Sequence, residues 1–163
     1  MKYLFILFIF TISPLFGKTG VERSEILKLI PAEFSSLTKS DSYDDISSRF
    51  KDKISNSNKQ KTLFLKYFGK DNDVTIGFDK GQFSYLLIKL PKQEKSSLFQ
   101  KIYDSLSEDE KKKLVQINTS SGHTVGRDIT VDLKDQSLRL KFKNDNSKTL
   151  QSVLIWSEGS KAP

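Results

Sequence analysis

The sequence predicts an α+β protein in which two tandem units each place a helix pair ahead of a three-stranded antiparallel meander. The first observation behind this is the stretch Val74 to Leu90. Val74, Ile76 and Phe78 alternate with small or polar residues, Asp79-Lys80-Gly81-Gln82 forms a turn, and Phe83 to Leu90 makes a second, more apolar strand. The second is its echo: Leu138, Leu140 and Phe142 alternate, a longer polar turn follows, and Val153-Leu154-Ile155 matches Leu86-Leu87-Ile88. The third is that helical apolar patterns precede both hairpins. The offset is 64 residues from Val74 to Leu138 and 67 from Phe83 to Leu150, and the difference lies in the turn, where length is least constrained. Duplication would leave that pattern, although alternating strands resemble one another in any case.

Each element has a local reason. Residues 1–17 carry Lys2, an apolar run from Tyr3 to Phe10, Pro14 and a small residue at Gly17, which is the pattern of a signal peptide. The run falls short of the roughly 20 residues that cross a bilayer. Cleavage after Gly17 is expected, with an uncleaved anchor as the alternative. Ile26, Leu27 and Ile30 mark a short helix over 21–30 that Pro31 stops, with Phe34 and Leu37 packed beside it. Ser40 to Asp45 offers capping hydroxyls and first-turn acids, and Ile46, Phe50 and Ile54 fall on one face of a helix over 42–54. Residues 55–61 form a polar loop.

Leu63 to Phe68 is a strand, Gly69 to Asp73 turns the chain back, and the Val74–Leu90 hairpin completes the first meander. Leu98, Phe99, Ile102 and Leu106 give the next helix face. Ser107 to Glu110 is a capping box that opens another helix through Leu114 and Ile117. A Ser/Gly-rich connector over 119–126 leads to a strand marked by Ile129, Val131 and Leu133, a turn over 134–137, and the final hairpin to Trp156. From Ser157 the chain reads as a frayed tail. The expected organisation is a signal peptide over 1–17, one unit over 18–92, a second over 93–157, and a tail over 158–163.

At 163 residues the chain suffices for one ordinary domain or two small ones sharing a core, and its 36% hydrophobic content supports that core. The formal charge of +7 would suit a nucleic acid or an anionic membrane. The cations argue otherwise: Arg23, Arg49, Arg127 and Arg139 are the only arginines, and the lysines are scattered among acids. No nucleic acid is expected. With no cysteine, disulfides, thiolate metal sites and cysteine nucleophiles are excluded.

In the second unit Ile129, Val131, Leu133, Leu138, Leu140 and Phe142 should face the helices, leaving Thr130, Asp132, Arg139, Lys141 and Lys143 outside. In the first, Leu63, Leu65 and Tyr67 should oppose Phe64 and Phe68, and Phe83 and Tyr85 should oppose Leu86 and Ile88. Both of its faces are then partly apolar, so one should meet the second unit or a partner. Candidate partner-binding residues are Tyr67, Phe83, Tyr85 and Trp156, as rigid aromatics, with Arg139, Lys141 and Lys143. Strand aromatics also serve as core.

Motifs for chemistry are weak. His123, the single histidine, could act as a base near Ser120 or Ser121 with Asp128 to orient it, but no G-x-S-x-G elbow presents a nucleophile. Asp71-Asn72-Asp73 starts like a calcium loop, yet Ile76 and Gln82 stand where it needs Gly and Glu. A hairpin turn explains these residues. Lys111-Lys112-Lys113 suits a solvated helix face or an anionic contact. No catalytic residue, metal or cofactor is expected.

Leu37-Thr38-Lys39-Ser40-Asp41-Ser42-Tyr43-Asp44-Asp45-Ile46, followed by the element order just given, resembles the helix-opening segment of the β-lactamase-inhibitor-protein-like fold, which includes small outer-membrane assembly lipoproteins of the BamE kind. The lipid-attachment cysteine of the latter is absent here. The resemblance implies a periplasmic or secreted protein-binding module. The expected function is therefore an exported bacterial, non-catalytic binding or envelope-assembly module, with a protein partner in the envelope or outside the cell and no transmembrane helix after signal cleavage. The alternative is a secreted factor that binds host or matrix polyanions through its lysines. A small hydrolase centred on His123 is a third possibility.

Overall fold

The computed structural model describes residues 20–58, 61–91, 97–112, 129–133, 136–143, 146–157 and residue 160. In chain order the elements are α1 (Arg23–Leu27), α2 (Ala32–Ser35), α3 (Tyr43–Arg49), β1 (Ile54–Asn58), β2 (Thr62–Leu65), β3 (Val74–Asp79), β4 (Gln82–Lys89), α4 (Leu98–Ser105), β5 (Ile129–Leu133), β6 (Leu138–Phe142) and β7 (Leu150–Trp156). A 3-10 turn, Lys51–Lys53, links α3 to β1, and residues 108–112 are helical. The protein is α+β, as the patterning requires.

All strand pairs are antiparallel, and one sheet of seven strands runs β1-β2-β3-β4-β7-β6-β5. Its joint is the β4–β7 pair, where Leu86 faces Ile155, Leu87 faces Leu154 and Ile88 faces Val153. The stretches that echo one another in sequence are hydrogen-bonded neighbours. A bulge interrupts β3–β4 between Gly77 and Phe78, and another interrupts β6–β7 between Lys141 and Phe142.

Helices cover one face of this sheet. Leu63, Leu65, Ile76, Leu86, Ile88, Leu133, Leu138 and Leu140 are buried in one core with Ile26, Phe34, Ile46 and Ile102 from the helices. Each such side chain contributes about 1.5–3 kcal/mol by leaving water. The six inward residues expected in the second meander are all buried. The N-terminal segment reaches that meander and α4 too: Gln136 Nε2 donates to the Val21 carbonyl at 2.9 Å, the Arg23 guanidinium donates to the Gln136 carbonyl, and Lys101 of α4 pairs with Glu25 at 3.5 Å.

Several boundaries differ from expectation. The helix expected over 42–54 begins as its capping box dictates, with the Ser42 hydroxyl accepting from Asp45 N–H and the Asp45 carboxylate accepting from Ser42 N–H, but it ends at Arg49. Phe50 leaves the helical path and stacks on Phe34 at 5.0 Å, and Ile54 opens β1. The polar stretch expected as a loop over 55–61 is thus largely an edge strand. An edge strand can be polar because its outer side has nothing to bury, and residues 55–58 are exposed. The first meander has four strands for this reason. Helix α1 stops at Leu27, and Pro31 starts a further helix, α2, instead of only ending one.

Strand β2 ends at Leu65, short of the expected Phe68. The buried Asp73 carboxylate accepts from the N–H groups of Tyr67, Phe68 and Lys70 at 2.7, 2.6 and 3.2 Å, which draws the chain out of the sheet. Tyr67 and Phe68 both pack against the helix-side core and do not oppose one another. The β3–β4 bulge corrects a second pair: Phe78 faces Phe83 while Gly77 faces Tyr85, so Phe83 joins Leu86 and Ile88 in the core and Tyr85 alone points to the other face. Ser157 is no frayed tail, being buried with its N–H donated to the Ser84 carbonyl at 2.8 Å. The segment 1–17, the connector with His123, and residues 161–163 lie outside the described residues. Among those described, no helix is long and apolar enough to cross a membrane.

Candidate functional site

The face of the sheet opposite the helices is a set of cross-strand rows that the register defines. The central row runs Asn56, Phe64, Thr75, Leu87, Leu154, Arg139, Asp132. On one side lies the row Thr62, Gly77, Tyr85, Trp156, and on the other Lys89, Ser152, Lys141, Thr130. Alternation along a strand sends every second side chain to this face, so apolar residues here are extra to the core. Leu154 and Trp156 are buried, yet neither belongs to the helix-side cluster.

A groove of about 590 Å³ lies along the middle of this face, and among the described residues strands line it. Thr75, Leu87 and Leu154 form the floor across β3, β4 and β7, Tyr85 stands on one flank, and Lys89 and Lys141 on the other. Gly77 shapes the aromatic flank. A Cβ at that position would stand 1.9 Å from Cε1 of Tyr85, so the phenol ring lies directly over the glycine backbone. This arrangement covers an otherwise bare stretch of β3 with an aromatic from its neighbour.

Arg139 is held by Asp132 across the β5–β6 pair, with Nε donating to Oδ1 at 2.5 Å and Nη2 to Oδ2 at 3.2 Å. The bidentate bond pushes the guanidinium's pKa up from its ordinary value, against the opposing effect of burial. The pair is a fixed, nearly neutral unit at the end of the central row. Lys89 and Lys141 therefore supply most of the groove's positive character, and both are exposed.

The structure brings together Tyr85, Arg139 and Lys141 of the residues singled out from the sequence. Trp156 shares their face but stands at its end, where with Phe83, Arg23, Lys39 and Gln136 it lines a second, more polar cavity of about 640 Å³. Phe83 is core on the helix side. Tyr67 is distant in kind: its ring packs on Phe34 at 4.8 Å, Lys53 Nζ sits 3.9 Å above it, and its hydrogen bond to the Glu33 carboxylate pushes its pKa up to about 12. Lys143 lies past the end of β6, outside the groove. Sequence patterning missed Leu87, Leu154, Lys89, Thr75 and Ser152. Leu87 and Leu154 were hidden because each sits inside a continuous apolar run, where the neighbours on both sides are core.

Other candidates are structural. Asp71 pairs with Lys66 at 3.4 Å and Asp73 organises the turn, while Lys111 and Lys112 pair with Glu108 and Asp109 at 2.8 and 3.7 Å. Among the described residues no group of three or more His, Asp or Glu side chains could hold a metal ion. No protein-family model, curated protein or solved structure matches the chain.

Proposed function

We propose that this protein is an exported, non-catalytic binding module that engages a protein partner through the open face of its sheet. The observation that carries this is the groove floored by Leu87 and Leu154, with Tyr85 beside it, on the face opposite the described helices. Antiparallel sheets with one solvated face normally keep that face polar. An apolar centre with a cationic rim is instead the composition of a contact surface. Export rests on the pattern of residues 1–17, and places the partner in the periplasm or outside the cell.

The module reads as two copies of one unit, helices ahead of a meander, with a third helix and the edge strand β1 added in the first copy. Register supports the duplication more strongly than sequence alone. With the offsets of 64 for β3 and 67 for β4, the pair Ile76–Leu86 maps onto Leu140–Val153, which are also partners, and Phe78–Phe83 maps onto Phe142–Leu150. The bulge between Gly77 and Phe78 maps onto the bulge between Lys141 and Phe142. Leu87 maps onto Leu154, its own partner across the joint, which puts a local two-fold axis through that pair. Helix-side equivalents remain apolar in both copies. Open-face equivalents have parted: Phe64 and Asp132, Thr75 and Arg139, Gly77 and Lys141, Tyr85 and Ser152.

Photocrosslinking tests the use of this face. A benzophenone side chain replacing exposed Thr130 should capture a discrete protein from envelope extracts, at high as well as low salt, and the same group replacing exposed Ser48 on α3 should not. Capture from Ser48 alone would refute the proposal. Capture from either position only at low salt would instead indicate the polyanion-binding alternative.

A further inference from the structure

We draw no further inference here: the strongest candidate, the polar cavity of about 640 Å³ where α1, the turn into β6 and the end of β7 meet, carries nothing because its Arg23 and Gln136 are engaged with each other and with Val21 in holding the N-terminal segment to the second meander.

Discussion

Tyr67, singled out as a binding aromatic, makes contacts that hold the fold. Its hydroxyl donates to the Glu33 carboxylate, a bond that raises the phenol from 10.0 to about 12 and lowers Glu33 below 4.5. A raised folded-state value contributes stability that is complete below pH 10 and is lost as pH rises toward about 12. The lowered carboxylate contributes above its unfolded value and loses this as pH falls through its folded one. Tyr67→Phe should therefore cost on the order of 1 kcal/mol near neutrality, because solvent screens a half-exposed pair. Urea midpoints measured across pH should show the gap from wild type narrowing at both extremes, and a constant gap would contradict the bond. Gly77 offers a sharper case. Gly77→Ala should destabilise by about 1–3 kcal/mol because the Tyr85 ring occupies the space of the added methyl. In a Tyr85→Ala background most of that cost should vanish, which a double-mutant cycle of thermal or urea unfolding measures.

Among the elements, the β3–β4 turn was the most legible in sequence. Asp79-Lys80-Gly81-Gln82 closes the hairpin with positive φ at both central residues, 51° at Lys80 and 80° at Gly81. That is the type I′ turn, whose twist matches the strands it joins. Lysine pays a steric cost there that asparagine largely avoids, so Lys80→Asn should raise stability by roughly 0.5–1 kcal/mol in chemical denaturation. An unchanged midpoint would mean the turn contributes little to the folded state. The six strands with alternating or apolar runs were legible for the same reason: burial on one side imposes a period of two. Strand β1 was not, because Ser55 to Asn58 bury nothing and are held by strand pairing and the Ser55 hydroxyl's bond to the Phe64 carbonyl. The early end of α3 was hidden too. Ile54 keeps helical spacing from Phe50, but it is half-buried against β2, where Leu65 is its partner.

At the scale of the whole molecule, patterning gives the core and not the site. Hydrophobic periodicity names which residues are buried, and the joint between β4 and β7 depends on which strands become neighbours, a long-range choice no local pattern encodes. Leu87 and Leu154 become the floor of a groove only once that joint forms. Tyr85 was legible as a rigid strand aromatic, and Arg139 and Lys141 as cations opposite an apolar alternation. Among the described residues the helices and closed core lie on one face of the sheet, and on the other Tyr85, Leu87 and Leu154 line a groove beside Lys89 and Lys141. The measurement that tests binding through this surface most directly is lysine acylation of the protein alone and in the complex captured from position 130. Binding there predicts strong protection of Lys89 and Lys141 with unchanged rates at Lys51 and Lys112, which are exposed on the helix-bearing segments. Protection of Lys51 and Lys112 with Lys89 and Lys141 still reactive would contradict it.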